Sequence, residues 1–152
     1  EHVWVALFWT NKLAMIDPVT FAIDEIELPR KKTLPRRLIV SSDDTVWYVD
    51  YQGGYLGQYN PITAETKEWR MPGDKQSRPY GMIVDEQDRI WFVETGLSPN
   101  RLIGFDTGSK HFFSQTDIPS GGGSIRHMYY HSSTKSIWFG TDMNTIGRAV
   151  IP

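Results

Sequence analysis

The chain has 152 residues, room for one globular domain with a real core and too few for two ordinary ones. Lys plus Arg number 16 and Asp plus Glu 18, a net charge of -2 that excludes a basic field for a nucleic-acid backbone, and no apolar run is long enough to span a membrane. With 39% hydrophobic, 13% aromatic and no cysteine residues, the composition indicates a folded, β-leaning chain without a disulfide framework, thiol nucleophile or Cys-ligated zinc. It leaves the compartment open, with a secreted or periplasmic location slightly favoured.

Taken along the chain, VWVALF at 3 to 8 reads as a strand around Trp4, followed by KLAMIDP at 12 to 18 and AIDEIELP at 22 to 29. The second repeat opens with RRLIVS at 36 to 41 and turns at SDDT. It continues through VWYVDY at 46 to 51, YLGQYNP at 55 to 61 and TKEWRMP at 66 to 72. The third keeps that order: YGMIVD at 80 to 85, the turn EQDR, IWFVET at 90 to 95, RLIGFDT at 101 to 107 and HFFSQTDIP at 111 to 119. After the flexible Gly121 to Gly123 connection come RHMYYH at 126 to 131, the turn SSTKS, IWFGTD at 137 to 142 and TIGRAVIP at 145 to 152. Asp-Pro, Asn-Pro and Asp-Thr-Gly endings are turn chemistry, and proline falls at strand ends where a missing N–H is harmless.

Trp4, Trp47, Trp91 and Trp138 recur at intervals of 43, 44 and 47 residues, the period of a four-stranded propeller blade. The sequence therefore predicts an all-β fold: a β-propeller fragment in a single domain over 1–152, with repeats near 1–33, 34–77, 78–123 and 124–152. With strands lettered A to D from the axis outward, the first repeat has B, C and D, the second and third all four, and the last A, B and C. That makes two complete blades, two incomplete blades and about 14 strands. Rings close with roughly four to eight blades, so the expected partners include the missing blades, or self-association through the open apolar faces. The start at Glu1 reads as a cut inside a longer repeat, and Pro152 as close to an authentic end. The repeated tryptophans are expected in blade-to-blade packing. Trp9, Trp69, Tyr51 and Tyr55 are the candidates for exposed contacts.

On these motifs the chain resembles the virginiamycin B lyase (streptogramin lyase) family of β-propellers. Its repeats read approximately P-H-G-I, a polar turn, I-W-F-T-E, N-x-I-G-R, a turn and E-x-x-L-P. The match is carried by RPYGMIVDEQDRIWFVET with NRLIGFDT, SIRHMYYHSSTKSIWFGT with NTIGRAVIP, and LPRRLIVSSDDTVWYVD with GGYLGQYNP. The resemblance implies ring-opening elimination of a cyclic depsipeptide antibiotic, using a histidine base, an acidic residue and Mg2+. At the family histidine this chain has Arg36, Tyr80 and Arg126, with His127 one place later. At the family glutamate it has Asp50, Glu94, and Thr141 followed by Asp142.

Strand order puts the starts of A strands and the ends of B strands on one rim. Arg36, Tyr80 and Arg126 are thus expected at the channel mouth with Asp50, Glu94 and Thr141, to bind a small-molecule or peptide ligand. Guanidinium groups there suit a carboxylate or carbonyl oxygen, and carboxylates a cation or a proton. His127 and Glu94 are the candidate catalytic pair. The alternatives are a non-catalytic binding or sensing propeller, a calcium-dependent lactonase-like hydrolase, and a purely structural network pairing Arg36 and Arg126 with Asp50 and Glu94. Arg30, Lys31, Lys32, Arg36 and Arg37 form one basic loop, read as a solvated face.

Overall fold

The computed structural model describes residues 2–152 and contains fourteen strands in four antiparallel sheets. The first sheet holds β1 (Val3–Leu7), β2 (Lys12–Ile16) and β3 (Ile23–Glu27). The second holds β4 (Pro35–Val40), β5 (Val46–Asp50), β6 (Tyr55–Tyr59) and β7 (Thr66–Arg70). The third holds β8 (Pro79–Val84), β9 (Ile90–Glu94), β10 (Arg101–Asp106) and β11 (His111–Asp117). The fourth holds β12 (Met128–His131), β13 (Ser136–Gly140) and β14 (Ile146–Val150). Each sheet is a meander of consecutive strands, and β8 lies between β4 and β12. This is the partial β-propeller the tryptophan period predicts.

The cores lie between blades. Trp47 pairs with Gln58, Trp91 with Gly104 and Trp138 with Arg148, so the next residues outward on the neighbouring strands, Tyr59, Phe105 and Ala149, are equivalent. Trp4 meets Tyr59 of the following blade at 5.8 Å between ring centroids, and Trp47 meets Phe105 at 5.7 Å. At the third interface Ala149 replaces the aromatic ring, and Trp91 is covered by Phe113 of its own blade at 5.2 Å. Trp47 and Trp91 are buried as expected, whereas Trp138 is 40% exposed, with no further sheet packed on it among the described residues. A groove of about 590 Å³ runs along β14, lined by Trp91, Leu102, Ala149, Ile146 and Val150. It occupies the place where β7 and β11 give their blades a fourth strand.

Turns are fastened by short side chains. The Ser41 hydroxyl donates to Asp43 at 2.6 Å and the Thr45 N–H to the same carboxylate at 3.1 Å, while the Trp47 indole donates to Ser41 at 3.1 Å. In the next blade the indole of Trp91 donates to Asp85 at 2.8 Å. Asp43 is held below the usual carboxylate range, chiefly by the Ser41 hydroxyl. Asp17 and Asp106 are lowered first by backbone N–H groups of Thr20 and Ser109. A carboxyl group with a lowered folded-state pKa stabilises the fold above its unfolded value and loses that contribution as pH falls through the folded one. Thermal stability is therefore expected to fall below about pH 4, with a shallower fall in Asp43→Asn; identical melting profiles over that range would contradict the assignment.

Candidate functional site

Two β-bulges shape the starts of β4 and β8, where the channel mouth is expected. The β4–β5 ladder shifts between Pro35 and Arg37, and the β8–β9 ladder between Pro79 and Met82, so Arg36 and Tyr80 stand out of register at equivalent places. Bulges re-aim side chains, and these two meet: Arg36 Nη2 donates to the Tyr80 hydroxyl at 2.6 Å. The Arg36 guanidinium carbon lies 4.3 Å from the Phe8 ring centroid, 4.1 Å from that of Tyr80 and 5.6 Å from that of Tyr51. Its Nε is buried and has no hydrogen-bond partner among the described residues. Beside it, Arg37 Nη2 lies 3.1 Å from His127 Nε2. Arginine only donates, so in this contact Nε2 is the unprotonated ring nitrogen.

The two carboxylates are drawn away from the mouth. Asp50 and Glu94 are both 0% exposed. Asp50 accepts from Arg30 Nη2 at 2.7 Å, from the Leu34 N–H at 2.9 Å and from the Gln52 N–H at 3.2 Å. Glu94 accepts from Arg101 Nη2 at 2.7 Å and Nε at 3.0 Å, and from the Gly73 N–H at 2.7 Å. The expected pairing with Arg36 and Arg126 is corrected: each carboxylate instead fastens the connection that leads from the preceding blade into its own. Leu7 occupies the equivalent position in the first blade.

The last blade also departs from expectation. Strand β12 begins at Met128, so Arg126 and His127 lie before it. The Ile125 carbonyl accepts from the Gly81 N–H of β8 at 2.9 Å, which holds this segment toward the third blade. Arg126 is exposed and pairs with Asp142 at 3.0 Å. Thr141 closes the β13–β14 turn, its Oγ1 lying 2.7 Å from Thr145 Oγ1 and accepting from the Met143 N–H at 3.1 Å. The structure thus brings together Arg36, Tyr80, Arg37 and His127, and leaves Asp50, Glu94, Thr141 and Arg126 with other partners. Among the described residues no three His, Asp or Glu side chains converge as metal ligands. With Asp50 and Glu94 bound to guanidinium groups, this donor set does not fit magnesium.

Sequence reasoning overlooked Phe8, and it read Arg37 and Arg30 only as part of a solvated basic face. Phe8 and Tyr51 share one position just after the Trp strand, and that recurrence was the available signal for Phe8. Arg30 is only partly solvated: it stacks 3.7 Å from the Tyr55 ring centroid and bonds Glu68 through Nε at 2.7 Å and Nη2 at 3.0 Å. Burial works to lower its pKa, but Glu68 and Asp50 outweigh this and raise it. The Tyr48 hydroxyl, donating to Glu68 at 2.7 Å, is raised by burial first and by the Glu68 charge second. Of the aromatics expected to be exposed, Trp9 is open to solvent, while Trp69 stacks on Trp47 at 5.7 Å.

No protein-family model and no curated protein matches the chain. Among solved structures it is similar to a streptogramin B lyase, with 22% identity and a TM-score of 0.75 over 99% of this chain and 51% of that one. A catalytically inactive histidine-to-alanine variant of virginiamycin B lyase from Staphylococcus aureus with quinupristin gives 23% identity and a TM-score of 0.77, covering 99% and 52%. An extracellular domain from B. thetaiotaomicron gives 15% and 0.74, covering 97% and 19%. The chain spans about half the length of the lyase structures it matches. These likenesses establish the class, a β-propeller.

Proposed function

We propose that this propeller binds a small molecule or peptide at its channel mouth, a carbonyl or carboxylate oxygen on Arg36 and an apolar face against Phe8, Tyr51 and Tyr80. The observation that carries this reading is the buried Arg36 Nε, without an acceptor among the described residues. An unsatisfied buried donor is costly, more so on a charged group, and a shift of the surrounding side chains that opens Nε to a ligand oxygen would satisfy it. The flanking rings and the Tyr80 bond already hold the guanidinium in place, so little side-chain freedom is lost on binding.

A second reading is ring opening by elimination, supported by the likeness to lyases and by His127 near the same mouth. There His127 takes a proton from carbon while the ester C–O bond breaks, leaving an alkene and a carboxylate. It requires Arg37 to release Nε2, and it gives Glu94 a role that competes with Arg101. Binding without turnover therefore fits the geometry better.

The test is calorimetric titration of the intact protein with quinupristin, followed by chromatography and mass spectrometry of the ligand. The expected result is saturable binding, weakened about tenfold or more in Arg36→Ala, with the ligand recovered unchanged. Elimination would give an isomer of unchanged mass with a new retention time, and hydrolysis a product heavier by one water. Absence of binding, or equal affinity in Arg36→Ala, would overturn the assignment.

A further inference from the structure

A second cavity, about 650 Å³, is lined by Arg30, Lys31, Lys32, Gln52, Gly53 and Lys75. Its residues come from the connection into the second blade, the β5–β6 loop and the connection into the third blade. Arg30 forms a fixed wall, gripped by Asp50, Glu68 and the Tyr55 ring through Nε, Nη2 and its flat face. Its Nη1 has no acceptor among the described residues, and it lies against Gly53, where an added Cβ would overlap both this nitrogen and Asp50. Glycine thus leaves bare backbone beside the one guanidinium nitrogen without a partner.

Lys31, Lys32 and Lys75 make no ion pair among the described residues. Nearby, Arg30 and Arg70 face three carboxylates, Asp50, Glu68 and Asp74, so the three lysines leave a surplus of two positive charges. Among the described residues no acidic side chain lines the cavity itself. A volume of this size suits a small molecule, and the chain's overall negative charge gives no extended field for a polymer.

We infer that this cavity is an oxyanion site for a small molecule carrying two or more phosphate or sulfate groups, held by Lys31, Lys32, Lys75 and Arg30 Nη1. Ammonium groups supply movable point charges and the locked guanidinium a fixed direction for one anionic oxygen. The site is separate from the Arg36 mouth and stands independently of the reading given for it. Chain continuity joins the two: Tyr51 faces Arg36, and the next two residues line the cavity.

The intact protein is titrated at low salt with pyrophosphate and, in parallel, with a disulfated disaccharide, each followed by calorimetry. Saturable binding of either is expected and identifies the group preferred. It should weaken as salt is raised, and by about tenfold or more in Lys31→Gln/Lys32→Gln/Lys75→Gln. A control variant with the same charge change, Lys12→Gln/Lys67→Gln/Lys135→Gln, alters lysines that do not line the cavity and should retain the affinity. Binding of neither probe, or equal weakening in the two triple variants, overturns the proposal. All six substitutions are at non-core lysines, and unfolding curves superimposable on wild type confirm that folding is unchanged.

Discussion

Glu94→Ala is expected to lower the unfolding free energy by about 3 kcal/mol, the lower end of the cost of breaking a buried ion pair. The carboxylate has no exposed surface, while Arg101 keeps a quarter of its side chain in water, so part of the arginine's lost partnership is made up by hydration. The Gly73 N–H loses its acceptor as well, and with it the fastening of the connection into the third blade. Glu94→Gln retains an oxygen for Gly73 and is expected to lose less. Asp50→Ala differs in kind: Arg30 keeps its bidentate bond to Glu68, and the groups left without an acceptor are the Leu34 and Gln52 N–H groups. Urea unfolding of the three variants measures this order. A loss in Glu94→Ala below about 1 kcal/mol, the range of an exposed pair, would show that the carboxylate is not buried as described.

The same two carboxylates show where the sequence is informative and where it is silent. Strands are legible because period-two patterns, Trp spacing and turn residues are local, and each strand pairs with its neighbour in the chain. Asp50 and Glu94 are legible as equivalent positions for the same reason. The partners in the connections are not, since Arg30 reaches Asp50, and the Gly73 N–H reaches Glu94, along paths that no local pattern specifies, whereas Arg101 stands directly opposite Glu94 in the β9–β10 pair. The position of Arg36 at the mouth follows from strand order, but its contact with Tyr80 depends on two bulges, and a bulge leaves little trace in a strand that alternates normally on either side. Arg30 illustrates the opposite error. A run of basic residues reads as solvated surface, yet Gly53 admits its guanidinium to a wall formed with Asp50, a close approach evident only in three dimensions.

The repeating interface predicts a contrast between tryptophans that the sequence alone would treat alike. Trp47 is 1% exposed and packs against Trp69 and against Phe105 of the next blade. Truncating it removes apolar contacts on both sides, and Trp47→Ala is expected to cost about 4 kcal/mol, within the range for large aromatic side chains in a core. Trp138 sits at the same place in its repeat, but among the described residues no further sheet packs on it. Its ring is flanked by Arg148 at 5.5 Å and is partly in water, so Trp138→Ala in the 152-residue chain is expected to cost about 1 kcal/mol. Denaturant unfolding of the two variants, with unchanged slopes as the check on two-state behaviour, measures the difference. Similar losses at both positions would mean that the tryptophans stabilise their own sheets alone, and the interlocking of successive blades through Trp4, Trp47 and Trp91 would then need another explanation.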